Sequence, residues 1–262
     1  MKYFDIFDNE NEYSVGTLLY FEREKAFIVE LADGLDEWTA PLLFTAYVKR
    51  GIFTIPRDVS LAWVRERIIP SNRQNINQIL KNHKLKEYDE IKFLEISEGK
   101  CSQDSMVIKR SEILPDYVKK RMQRNLSEVV ISDDSLLVFF EDNTSRKIPF
   151  EKLYKIDGSE KLMNNAQLLE SGRVGAGGYY VTFNNSIDIP AAELYKTGTK
   201  LPLTMSDFNN YVRKNILDTS EVCSILECSR QNLAYLLNKD LLKPIKEDVK
   251  GNLYQKGDVL KM

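Results

Sequence analysis

The sequence carries a single histidine, His83, in 262 residues. Histidine is the commonest metal ligand and general base, and one of them, in the polar stretch LKNHKLKEY, builds no multi-histidine centre. Cysteine is scarce too. Cys101, Cys223 and Cys228 contain no Cys-x-x-Cys pair, which argues against a structural zinc site, and three thiols make no disulfide framework. They suit a reducing compartment. No apolar run approaches the roughly 18–20 residues that span a bilayer, and the start, MKYFDIFDNENEY, lacks the basic-then-apolar layout of a signal peptide. An excess of one charge is missing as well: 37 basic against 39 acidic residues leave a net charge of −2, so no global field draws the chain to nucleic acid or anionic lipid. These absences predict a cytoplasmic protein with no membrane partner, no metal and no cofactor.

Phosphate-loop chemistry is also absent. The glycine-rich SGRVGAGGYYVTF (Ser171–Phe183) has no Gly-Lys-Ser/Thr ending, and Gly175, Gly177 and Gly178 do not fit Gly-x-Gly-x-x-Gly. A β-type run follows where a phosphate loop would open a helix, so these read as turn glycines. The acid pair Asp133–Asp134 lies in a turn-like polar cluster. Nothing in the sequence argues for catalysis, and a non-enzyme is expected.

What is present is a fold of α+β class in several domains. Residues 1–112 read as an N-terminal α+β domain: SVGTLLYFE and AFIVEL form a strand pair around EREK, and DEWTAPLLFTAYVKRG is helical up to Gly51. DVSLAWVRERII is a second helix ended by Pro70, and NRQNINQILKNHKL is a third, opened by a capping box of Ser71 and Gln74. A basic helical connector, ILPDYVKKRMQRNL, follows.

Residues 126–203 read as a small central domain of hairpins and helices. SEVVIS and SLLVFF are strands split by a turn, SEKLMNNAQLLES is a short amphipathic helix, YYVTFNNSIDI is a hairpin about Asn184–Asn185, and PAAELYKTG is a helix entered by proline. LLVFF is apolar on both faces of its strand, which predicts that the second face meets the N-terminal region, a second copy of the chain or another protein. The phrases LLVFFEDNTSRKIPF and VTFNNSIDIPAAELY, with their spacing, resemble a small bacterial domain family of unknown function. That family is found in presumed toxin–antitoxin pairs. The resemblance implies a small toxin or other protein partner and no reaction.

Residues 215–262 fit a helix-turn-helix. Asp218 and Glu221 form a capping box for the first helix; Val222, Cys223 and Leu226 are its apolar stripe; Glu227–Cys228 is the turn. Ser229 caps the second helix, and Leu233 and Leu236 pack it back. SRQNLAYLLNKDLL (Ser229–Leu242) is echoed upstream by NRQNINQILKNHKL (Asn72–Leu85), but there Arg65 and Glu66 would fall on buried positions, so one reader is expected, not two. TSEVCSILECSRQNLAYLL followed by LLKPIKEDVKGNLYQKGDV resembles the winged helix-turn-helix of MerR and excisionase-type DNA-binding proteins, with Glu227 where that family usually has glycine.

That resemblance implies a sequence-specific regulator of double-stranded DNA, an antitoxin-like autorepressor at its operator. In it Arg230 meets guanine or phosphate, Gln231 and Asn232 meet adenine, and Tyr235 touches backbone or a thymine methyl, with Ser229 and Lys239 on the same surface. Lys246 and Lys250 hold phosphates from the wing. Basic and acidic residues between 218 and 262 balance one for one, so a homodimer is expected to supply the affinity a neutral module lacks. The competing expectation is a protein-binding inhibitor or adaptor whose helix-turn-helix never touches DNA.

Overall fold

The computed structural model describes residues 1–163, 165–202, 205–246, 251 and 253–262. It is of α+β class and divides into two compact units, Met1–Lys119 and Lys120–Met262. The central and C-terminal segments read separately in the sequence therefore belong to one unit.

The first unit is built on a five-stranded antiparallel sheet in the order β4-β3-β2-β1-β5. Its strands are β1 (Lys2–Asp8), β2 (Tyr13–Phe21), β3 (Ala26–Leu31), β4 (Thr54–Ile55) and β5 (Met106–Ser111). β2 and β3 pair around Glu22–Lys25 as the sequence predicts, with Lys25 at positive φ closing the turn. β1 alternates: Phe4 and Ile6 enter the core while Tyr3, Asp5 and Phe7 are half-buried.

The stretch Asp36–Gly51 is less helical than its apolar spacing suggests. Asp36 accepts the amides of Trp38 and Thr39, Pro41 follows, and only a 3-10 turn (Leu42–Phe44) and the short α1 (Thr45–Lys49) form before Gly51 at φ 70°. α2 (Arg57–Arg65) lays Trp63 and Val64 into the core. Its Ser60 accepts from the Val29 amide at 3.0 Å and donates to the Ile55 carbonyl at 3.1 Å.

α3 (Ile76–Asn82) corrects one expectation. The capping box of Ser71 and Gln74 does not form: residues 71–75 make successive turns tied to the Pro70 and Arg73 carbonyls, which leaves Ser71 outside the helix, and Asn75 stands at the N-cap with no side-chain bond. α4 (Glu90–Ser97), capped by Asp89, and α5 (Asp116–Met122), the predicted connector, complete the set.

In the second unit β6 (Leu126–Ile131), β7 (Ser135–Phe140) and β8 (Ser145–Pro149) form an antiparallel meander, closed at one edge by β12 (Thr199–Lys200). α6 (Phe150–Leu153) follows β8. The helix expected over Ser159–Ser171 is broken into a 3-10 turn (Glu160–Leu162) and α7 (Ala166–Glu170), because Asn165 turns its side chain to cap the Leu168 amide. β9 (Arg173–Val174), β10 (Tyr180–Phe183) and β11 (Ile187–Pro190) make a second small sheet, with Asn184 and Asn185 both at positive φ in the hairpin turn. Gly178, at φ 75°, lies so close to β6 that a Cβ would stand 2.2 Å from the Leu126 carbonyl oxygen. α8 (Ala191–Thr197) is entered at Pro190.

Leu136, Val138 and Phe140 of β7 pack into the core of this unit with Val129, Ile131 and Phe183. Val130, Leu137 and Phe139 point to the other face. That face is met by the chain's own C-terminal helices, α9 (Met205–Asn215) and α12 (Lys256–Lys261), where the sequence suggested the N-terminal region, a second copy of the chain or another protein. Tyr211 of α9 lies 5.2 Å from Phe139, ring to ring, and Lys214 of α9 donates to the Ile131 carbonyl at 2.9 Å. Glu128, almost wholly buried in β6, accepts from the Gly257 amide at the start of α12 at 2.6 Å. Lys261 of α12 pairs with Glu141. This joint was not foreseen, and it ties the C-terminal module to the central sheet.

Candidate nucleic-acid interface

The C-terminal module is a helix pair with a small antiparallel ladder. α10 (Thr219–Leu226) carries the predicted capping box in full: the Asp218 carboxylate accepts from the Glu221 amide at 2.9 Å, and the Glu221 carboxylate accepts from the Asp218 amide at 2.8 Å. Glu227 ends the helix at φ 51°, ψ 42°, in the left-handed region where glycine would sit unstrained. The Cys228 amide donates to the Cys223 carbonyl at 3.0 Å, and the chain turns into α11 (Arg230–Asn238). Ser229 caps α11 by accepting from the Asn232 amide at 3.2 Å.

Val222 and Leu233 fill a core with Leu217, Leu242, Tyr254 and Val259. The ladder joins β13 (Ile216–Leu217) to β14 (Tyr254–Gln255) and continues outward as a bridge between Lys246 and Leu253. The Ile245 amide donates to the Leu253 carbonyl at 2.7 Å. Where the sequence predicts a two-stranded wing, the described residues show this one bridge, and Lys250 lies outside the described residues.

Of the site residues expected from the sequence, Ser229, Arg230, Gln231, Asn232, Tyr235, Lys239 and Lys246 are all exposed. They do not all share one side. Successive residues of a helix turn by about 100°, so Arg230, Gln231 and Asn232 point in three directions. Leu233, Leu236 and Leu237 fix the inward direction. Opposite to it stand Gln231, Tyr235 and Asn238, with Ala234 on the flank toward Arg230, all exposed. Arg230 lies on the flank toward α10, its guanidinium 3.5 Å from Ser220 Oγ. Asn232 and Lys239 lie on the other flank, with the Lys239 ammonium 5.9 Å from the Tyr235 ring centre. Asn238 is the outward residue that sequence reasoning missed. Its signal was available in the spacing, seven residues after Gln231 and therefore two turns along the same face.

Charge around this surface is mixed. Lys243 stands 3.8 Å from Asp240, Lys261 is engaged with Glu141 on the side of the sheet, and Glu227 is exposed in the turn before α11. The Cys228 thiol is pushed up from its ordinary pKa by burial and by the Cys223 thiol beside it.

Among the described residues no cluster of three or more His, Cys, Asp or Glu side chains is placed to hold a metal ion, and no helix is long and apolar enough to cross a membrane. No family model, curated protein or solved structure matches the chain.

Proposed function

We propose that this chain is a sequence-specific regulator of double-stranded DNA that acts in the cytoplasm as an autorepressor, with α11 in the major groove and the wing over the adjacent backbone. One observation carries the reading: α10 and α11 are both capped, Val222 and Leu233 hold α11 against α10, and the outward face of α11, with Gln231, Tyr235 and Asn238, is uncovered. A helix presented this way matches what base-edge recognition needs. Basic residues at its margins, Arg230, Lys239 and Lys246, are placed for phosphates, and phosphate contacts are the main source of affinity. Because the module is electrically neutral overall, two copies related by a two-fold axis are needed to reach typical operator affinity, on half-sites about one helical turn apart. A protein partner of toxin type remains part of the proposal on the resemblance of residues 126–203; the covering of the second sheet face by α9 and α12 removes the separate argument from an unpaired strand.

A mobility-shift titration of the full-length protein on its own promoter tests this. Promoter binding over bulk DNA, falling steeply with salt, is expected. No preference at low salt refutes it.

A second reading has its own observation. Tyr235, Leu241 and Ile245 are each more than half exposed on this module, an apolar set better suited to protein than to phosphate. Under that reading the module is a protein-binding inhibitor or adaptor, and the same titration shows no DNA complex.

A further inference from the structure

We infer that the reader selects A·T base pairs, through adenine edges and thymine methyl groups. This rests on the DNA-reading proposal above and names what that surface reads. The stripe of α11 that faces away from the core is Gln231, Tyr235 and Asn238, with Ala234 at its edge. At a rise of about 1.5 Å per residue, the seven steps from Gln231 to Asn238 cover about 10 Å, the height of about three stacked base pairs.

Both ends of the stripe are carboxamides. An amide presents one donor and one acceptor side by side, the complement of the N6 donor and N7 acceptor that adenine shows in the major groove. The middle is apolar. Ala234 offers a methyl group and Tyr235 a half-exposed ring, both suited to the C5 methyl of thymine.

Guanine shows two acceptors and is read by a cation aimed at them. No cation stands on the stripe. Arg230 lies off it, beside Ser220 of α10, and Lys239 lies off it on the opposite flank beside the Tyr235 ring. Their place at the two margins of the helix is where the phosphates of the two groove walls pass. The geometry thus separates the roles: amides read, cations position.

The test is selection of binding sites by the full-length protein from a random duplex library, followed by sequencing, for wild type and four variants. Wild type is expected to enrich a half-site with an A·T core of about three base pairs. Gln231→Ala and Asn238→Ala each lose roughly ten- to a hundredfold discrimination at one position of that core, at opposite ends. Arg230→Ala weakens binding to all sequences alike. Gln231→Glu supplies a result that loss of folding cannot imitate: a carboxylate accepts from cytosine N4, so preference at its position moves from adenine to cytosine.

A guanine-centred motif that only Arg230→Ala relaxes overturns the inference while leaving DNA recognition standing. Enrichment of no sequence above the starting library overturns the DNA reading and this inference with it.

Discussion

Replacing Gly257 by alanine should loosen the C-terminal module from the central sheet. Gly257 is the second residue of α12, and its amide donates to the buried Glu128 carboxylate at 2.6 Å. A Cβ there would stand 2.2 Å from the Ser127 carbonyl oxygen, 2.3 Å from Glu128 Oε1 and 2.7 Å from its carboxyl carbon. The carboxylate can swing, but the carbonyl is strand backbone, so α12 and β6 must part by about an ångström. Overpacking of this kind costs about 1–3 kcal/mol. Stretching a hydrogen bond to a charged acceptor adds a comparable amount, about 1.5–3 kcal/mol where the bond is lost. Against these stands the smaller unfolded-state entropy of alanine, worth about 0.4–1 kcal/mol. The net expectation is a loss of about 2–4 kcal/mol.

The chain supplies its own control for the measurement. Both tryptophans, Trp38 and Trp63, lie in Met1–Lys119, so tryptophan fluorescence follows that unit while far-ultraviolet circular dichroism follows both. At a urea dependence of about 1–3 kcal/mol per molar, the loss moves the dichroism midpoint by about 1 M or more. Glu128→Gln, which keeps an acceptor and removes the charge, should fall between wild type and Gly257→Ala. A Gly257→Ala protein with an unmoved dichroism midpoint refutes the reasoning, because the helix would then have room that the geometry denies it.

Two further outcomes are expected. Leu233→Ala empties a fully packed position between α10 and α11 and should cost about 2–5 kcal/mol in the same denaturation, with DNA binding lost to the same extent that the module unfolds; a loss under 1 kcal/mol refutes the packing. Burial works to raise the pKa of Asp8, but bonds from Asn11, Ser105 and the Glu10 amide overcome it and hold the group at about 2. A depressed carboxylate stabilises the folded state above its unfolded pKa and loses that contribution as pH falls, so about 2 kcal/mol should disappear between pH 5 and 2, and a stability profile with the same acid slope in Asp8→Asn contradicts it.

Local patterns carried much of the fold. The β2–β3 and β6–β7 pairs, the Asn184–Asn185 hairpin and the caps of α10 and α11 are each decided by residues a few positions apart. β1 is equally legible in its alternation of Phe4 and Ile6 with Asp5 and Phe7. The joint around Glu128 had no local signature. An acid inside SEVVIS reads as the solvent side of a strand, and no local pattern announces the Gly257 amide that arrives from 129 positions away to bond the buried carboxylate. The same holds for the second face of LLVFF. Period-2 reasoning shows that both faces need cover, yet it cannot say that α9 and α12 provide it.

The upstream echo shows what decides whether an Arg-Gln-Asn phrase opens a reading helix. Downstream, Ser229 accepts from the Asn232 amide, so helix geometry begins at Arg230 and throws Gln231 outward. Upstream, the turns after Pro70 delay the helix until Ile76, and Arg73, Gln74 and Asn75 never enter it. The apolar residues that follow, Ile76, Ile79, Leu80 and Leu85, pack partly buried against the core of the first unit as any surface helix would. Arg65 and Glu66, which a reading-helix arrangement would have buried, are both exposed. The difference between the two copies lies in the three preceding residues: Glu227–Cys228–Ser229 makes a left-handed turn and supplies a cap at the residue before Arg230, whereas Pro70–Ser71–Asn72 holds the chain in turns and leaves the serine one position too early to cap.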